Sequence, residues 1–273
     1  MASISVRSRD DLNLSVQLWG DPAGPEILFL HGFNQCHLSW VKQTTDLALL
    51  GCRLVTMDLR GHGASDKPAT PESYSDDTLW ADDVAAVIEA AGLRKPVVVA
   101  WSYAGRVITD YVRHHGTRRI AGINLLDASI VSKPAMLGAD RRHIVNMLTD
   151  DLALCIDSTV KFLRACFATQ PPREAFETML GFNMVIAPAV RKMILARTPN
   201  EGDMLPKIDV PVLVTHGALD PLILVEMGRY AAGQIPDAQL SIYDDAGHAP
   251  FYEDAPRYNA ELLAFVKRAN GLR

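Results

Sequence analysis

Short apolar runs at 26–30, 53–58, 96–101, 120–127, 210–216 and 239–243 each close on residues that can do chemistry. In turn they present His31-Gly32-Phe33, Asp58 with R-G-H-G, Ser102, Asp127, Asp220 and His248. If the runs are parallel strands, these residues share the carboxyl edge where open α/β sheets bind ligands. A hydroxyl, an acid and an imidazole then lie together in the chain order Ser…Asp…His. Those three types serve acyl transfer. The hydroxyl attacks a carbonyl, an imidazole titrating near neutrality takes and returns the proton, and a carboxylate holds the imidazole's tautomer. Asp127 and Asp220 are both open as the acid, and His62 in R-G-H-G competes with His248. Ser102 itself stands in V-V-V-A-W-S-Y-A-G at 97–105, a strand-type run meeting a serine with alanines two places to either side. The plainer reading of such a serine is a cap on the following helix.

The elements that must hold these residues follow from hydrophobic period. Between most apolar runs lie stretches of helical spacing, such as 78–91 and 106–115, and strands alternating with helices predict a parallel sheet covered on both faces. The runs 4–7 and 14–19 flank Asp10-Asp11 and predict an amphipathic hairpin on the sheet edge. Alternation stops between Asp127 and Val210, where 150–168, 172–182 and 187–198 have helical spacing. A structureless loop that long is uncommon in a compact domain. The segment 131–206 is therefore expected to be a helical lid inserted after the sixth strand, over a core formed by 1–130 and 207–273. It carries Met136, Met147, Met179, Met184 and Met193 with Phe162, Phe167, Phe176 and Phe182. Residues at this spacing serve as plain core or as pocket wall.

The chain has 273 residues, 48% hydrophobic and 22% charged, a composition close to that of soluble globular proteins. With a net charge of −5 and no basic stripe, it offers nothing to neutralise phosphates, so neither nucleic acid nor an anionic membrane is an expected partner. No run of about 18 apolar residues is present, and the start alternates like a strand rather than a signal peptide. A cytoplasmic location is the default expectation. Cys36, Cys52, Cys155 and Cys166 form no C-x-x-C pair and no zinc-finger spacing, so buried free thiols are expected, with Cys36 notable for its nearness to His31-Gly32-Phe33. No metal-ligand pattern and no Gly-rich phosphate loop appears, and no cofactor is expected. Homo-oligomerisation is left open.

Five motifs together resemble the α/β-hydrolase family: L-H-G-F-N at 30–34, D-L-R-G-H-G-A-S-D at 58–66, A-W-S-Y-A-G at 100–105, H-G-A-L-D-P at 216–221 and A-G-H-A-P-F at 246–251. They span nearly all of the chain outside the expected lid. H-G-F-x(6)-W, from His31 to Trp40, and the Trp before the serine are most similar to bacterial esterases grouped with cofactor-free haloperoxidases. The resemblance implies Ser102 as nucleophile, His248 as general base and Asp220 as its acid, with Asp127 in reserve because some members take the acid from that strand. It also implies an oxyanion hole from the backbone N–H groups of Phe33 and Tyr103. Asn34, Trp101, Met136, Met184 and Leu222 become substrate-pocket candidates. His31 would brace its loop, His62 would shape a turn, and His114, His115 and His143 fall on helical segments.

Two departures qualify the resemblance. Haloperoxidase-like members commonly carry a proline after the position of Phe33, associated with peracid formation, and this chain has Asn34. The serine's flanks are Ala100 and Ala104 where the family usually has glycine. The sequence thus leads to a serine carboxylesterase or lactonase acting on a small to medium ester, the apolar lid favouring an uncharged acyl part. Perhydrolysis or carbon–carbon bond hydrolysis with the same triad is the enzymatic alternative, and a ligand-binding receptor on the hydrolase scaffold is the non-enzymatic one.

Overall fold

A computed structural model describes residues 2–198 and 202–272. Its eight strands are β1 (Ala2–Arg7), β2 (Asn13–Gly20), β3 (Glu26–Leu30), β4 (Arg53–Met57), β5 (Val97–Trp101), β6 (Gly122–Leu126), β7 (Val212–Gly217) and β8 (Gln239–Tyr243). They form one sheet in the order β1-β2-β4-β3-β5-β6-β7-β8. The first two make the expected hairpin, β2 joins β4 antiparallel, and every other pairing is parallel. β5, β6 and β7 are buried along their whole length, which is why V-V-V-A-W shows no in-out alternation.

The longer helices are α1 (Asp77–Ala90), α2 (Ala104–His115), α3 (Leu152–Ala165), α4 (Arg173–Met184), α5 (Pro188–Leu195), α6 (Val225–Gln234) and α7 (Ala255–Ala269). Local chemistry sets their ends. The Asp76 carboxylate accepts from the Thr78 amide at the start of α1, and Asp151 accepts from Leu154 at the start of α3. The second cap is why α3 begins at Leu152 instead of 150, since a capping carboxylate satisfies an amide the first turn leaves unpaired. The last helix, α7, turns Tyr258, Leu262, Phe265 and Val266 inward, each such burial contributing roughly 1.5–3 kcal/mol.

The sequence reading did not single out α6. Its periodicity is diluted by Gly228, and packing explains that glycine: a Cβ there would lie 2.8 Å from Nδ1 of His216 on β7. The helix needs the gap in its own pattern to approach the sheet.

β3 lies between β4 and β5, so the chain leaves β3 to one side and returns past it to reach β5. Loops from neighbouring carboxyl ends therefore diverge there and leave a crevice. Residues 31–34 and 102–103 border it. The helices α3, α4 and α5, between β6 and β7, reach the same edge: Asn183 of α4 meets Asn34, and the Tyr103 hydroxyl donates to the Ile194 carbonyl of α5 at 3.2 Å.

Candidate active site

Ser102 occupies a backbone conformation that its side chain disfavours, φ +56°. A non-glycine residue in this region is strained by about 1–3 kcal/mol and stays there only when its surroundings over-determine it. They do so here. The Ser102 amide donates to Leu126 at the end of β6, and the Ser102 carbonyl accepts from both Gly105 and Ser129, all at 2.9 Å. Gly105 must lack a side chain, because a Cβ would sit 2.8 Å from Ala128 Cβ and 3.0 Å from the Ser129 backbone. Ala100 and Ala104 are fully buried beside the turn, so their methyls are accommodated without relaxing it.

The turn presents Ser102 Oγ 2.8 Å from Nε2 of His248, and Nδ1 of His248 lies 2.6 Å from Oδ2 of Asp220. His248 is fixed from three sides. Its amide donates to the Cys166 carbonyl, its carbonyl accepts from Nε1 of Trp101, and its ring packs 5.7 Å from that indole. The other Asp220 oxygen accepts from the amides of Leu222 and Ile223 at 2.8 and 3.0 Å. Burial alone would raise the Asp220 pKa, but the charge and hydrogen bond of His248, together with the nearby His216, hold it well below the usual carboxylate range. A carboxylate held ionised here can stabilise the imidazolium formed when the serine loses its proton.

Of the two open acids, the structure brings Asp220 to His248. Asp127, at φ +42°, accepts from the Gly217 amide at 2.8 Å and faces His216 across 3.7 Å. His216 Nε2 donates to the Ile223 carbonyl at 2.8 Å and lies 3.6 Å from Asp220. Burial opposes charging of His216, yet Asp127 and Asp220 override it and push its pKa to about 9. A buried imidazolium behind Asp220 was not legible from H-G-A-L-D-P, because it depends on β6 and β7 pairing in register.

The remaining histidines divide as expected. His31 donates from Nδ1 to the Gly32 carbonyl and accepts from the Leu59 amide at Nε2, which defines a neutral ring, and burial lowers its pKa to about 4. His62 donates to the Arg60 carbonyl inside the turn, and burial takes it to about 3. Asp58 accepts from the amides of His37 and Ala64 and so ties the two loops together. Cys36 is buried beside it, and burial followed by the Asp58 charge pushes its thiol up to about 12, making it inert. The fold also gathers ligand-type atoms that spacing did not foretell: Cys36, His37 and Asp58 in one place, Asp127, His216 and Asp220 in another. In both, backbone amides already engage the carboxylates.

Gly32 and Phe33 run directly under the serine. Among the described residues no acceptor takes the amide of Phe33 or of Tyr103, and both residues line a cavity of about 60 Å³ with Ser102 and His248. Leu222, Phe162 and Leu195 line it as well, as do the guanidinium-bearing Arg106 and Arg141. Of the other pocket candidates, none lines this cavity. Asn34, at φ +64°, turns its carboxamide away to the carbonyl and side chain of Asn183 at 3.1 and 2.8 Å. Trp101 is committed to His248 and to Trp40 and Phe251. The Met136 carbonyl accepts from Leu224, and Met184 Sδ packs 4.0 Å from Arg191. Neither arginine stood out in the sequence: Arg106 directly follows A-W-S-Y-A-G but has the place of an ordinary polar residue of α2, and Arg141 lies at the start of the insertion, far from any motif.

A mostly parallel sheet crossed by a serine at a strained strand-to-helix turn defines a class, and comparison agrees. The profile of the alpha/beta hydrolase family matches residues 27–261, and the chain belongs to that family. A provisionally named aryl esterase from Burkholderia cenocepacia is 38% identical, with a TM-score of 0.95 covering 99% of this chain and 100% of that one. The esterase RhEst1 from Rhodococcus sp. ECU1013 is 31% identical, with a TM-score of 0.89 and coverage of 98% and 99%. A non-heme chloroperoxidase, CPO-A1, from Kitasatospora aureofaciens is 29% identical over 96% of this chain and 98% of its own. The protein is therefore a hydrolase-family member related to haloperoxidase-like esterases.

Proposed function

We propose that the protein is a serine carboxylesterase or lactonase working through an acyl-enzyme. The observation that carries this reading is the unbroken path from Ser102 Oγ through both nitrogens of His248 to Asp220, at 2.8 and 2.6 Å. Ser102 Oγ attacks the carbonyl carbon while its proton passes to Nε2. The oxyanion is met by the uncommitted amides of Phe33 and Tyr103, donors of the kind worth about 3–4 kcal/mol each in the transition state. His248 then gives the proton to the leaving alkoxide, and in the second half takes one from water to release the acid. Helices α3 to α5 act as the lid over this site.

Ester hydrolysis is favoured over perhydrolysis by Asn34. Its φ of +64° lies outside the range a proline ring permits, so this loop is built differently from one carrying the proline associated with peracid formation. The test is a pre-steady-state and steady-state assay on 4-nitrophenyl acetate with wild type and Ser102→Ala. A burst followed by turnover in the wild type, both lost in the variant, is expected. Retention of turnover in Ser102→Ala, or peroxide-dependent halogenation outrunning hydrolysis, would overturn the reading.

A further inference from the structure

The serine's cavity opens toward a larger one of about 460 Å³, and Arg106, Ser129, Arg141, Ile144 and Leu195 line both. The larger cavity adds Arg142 and Arg197. Among the described residues no carboxylate lines either space. Three of the four guanidiniums are nevertheless engaged. Arg142 pairs with Asp140 at 3.0 Å, Arg197 pairs with the buried Asp110, and Arg106 donates to the carbonyls of Arg197 and Thr198.

Arg141 differs from them. It is partly buried, and among the described residues no hydrogen bond or ion pair engages its guanidinium. Burial and the nearby charge of Arg106 both work against its positive charge. A partly desolvated cation without a counter-charge is unfavourable, and a planar fork of donors suits a carboxylate.

Resting on the esterase reading, we infer that the substrate is an ester or lactone bearing a carboxylate a few atoms from the scissile bond, and that Arg141 is the residue that selects it. Arg141 lines the serine's own cavity, so the anion is held close to the reacting carbonyl. The apolar side chains of the insertion pointed toward an uncharged acyl part, and Arg141 reverses that expectation for this end of the site.

The test compares esters that differ only in one carboxylate: monophenyl glutarate against phenyl pentanoate for the acyl side, and 4-carboxyphenyl butyrate against phenyl butyrate for the alcohol side. In at least one pair the ratio of kcat/KM, anionic over neutral, should fall about tenfold or more in Arg141→Met and recover in part in Arg141→Lys, as expected for loss of a charge-assisted hydrogen bond. Ratios unchanged by Arg141→Met in both pairs, with Ser102-dependent turnover of the neutral esters intact in the wild type, overturn the carboxylate site alone. Absence of turnover with every ester overturns the esterase reading instead. Calorimetry on Ser102→Ala then still decides the site: tighter binding of either anionic ester than its neutral partner, abolished by adding Arg141→Met, supports it, and equal binding in both pairs overturns it.

Discussion

Replacing Gly32 by alanine probes the site with one carbon atom. The backbone of Gly32 is open to any residue, so the whole effect comes from where the new Cβ points: 3.0 Å from Ser102 Cβ, 3.4 Å from Ser102 Oγ and 3.5 Å from Cδ2 of Trp101. Carbon atoms prefer about 3.5–4.0 Å, so the first contact is short by about half an ångström. Ser102 cannot retreat cheaply, because three hydrogen bonds of 2.9 Å hold its strained peptide. Either Oγ swings off the 2.8 Å line to His248 or the 31–34 loop backs away and takes the Phe33 amide with it. A displacement of 1 Å can cost about a hundredfold, so half of that predicts a loss of about tenfold in kcat. Overpacking adds about 1–3 kcal/mol of destabilisation, at about 2–4 °C of Tm per kcal/mol for a chain of this size. The acetate burst assay combined with calorimetric melting reads both. A kcat within about twofold of wild type, without a lower Tm, would refute the claim that Gly32 is required by the approach of this loop to the serine.

Other outcomes follow from the same geometry. Asp220→Asn should lower kcat by about 10⁴, as removal of the carboxylate beside a catalytic imidazole does, whereas Asp127→Asn should lose far less; comparable losses would return Asp127 to the role of acid. Two buried rings should cost stability in acid. His31 and His62 are neutral when folded, with pKa values lowered to about 4 and about 3, so their contribution is whole above the ordinary value of 6.5 and is lost as pH falls from there through those values. The size is about 3 kcal/mol for His31 alone. His216 works in the opposite sense: its raised value of about 9 means its contribution is whole below 6.5 and is lost as pH rises through 9. Burial raises Asp83 and Asp110 to about 6 and Asp127 to about 7, and these carboxyls gain as pH falls, offsetting the two rings in the net urea midpoint. The rings are therefore read one by one, and an NMR titration in which His31 or His62 protonates between pH 7 and 5.5 would contradict the account of the buried rings.

The strands were legible because each is a short apolar run ending on a turn residue, and β3 and β8 match the expected 26–30 and 239–243. The meeting of Ser102, Asp220 and His248 was legible for a related reason: residues just after parallel strands converge at one sheet edge. What stayed hidden depends on long-range packing. Gly228 weakens the α6 pattern for the sake of His216, and Asn34 meets Asn183 across most of the chain. Met136 and Met184, chosen for their type, do not line the serine's cavity, while Arg141 does. Apolar periodicity indicates that a helix faces something, but which side chain reaches a neighbour's cavity is decided by how the insertion docks.

The bond between Asn34 and Asn183 ties the loop after β3 to the helical segment between β6 and β7. Asn34 follows Phe33, which lines the serine's cavity, and Asn183 is in turn held by Arg191, whose Nη2 donates to the Asn183 carbonyl at 2.8 Å. The insertion is thus no free cassette. Grafting residues 131–206 from a relative with an apolar side chain at position 183 would remove the shorter of the two acceptors of the buried Asn34 carboxamide, Asn183 Oδ1 at 2.8 Å, and leave only the residue-183 carbonyl at 3.1 Å, a cost of about 1 kcal/mol. That cost would fall on the loop beside the serine. An exchange of this segment therefore has to carry a partner for Asn34 with it, or replace Asn34 as well.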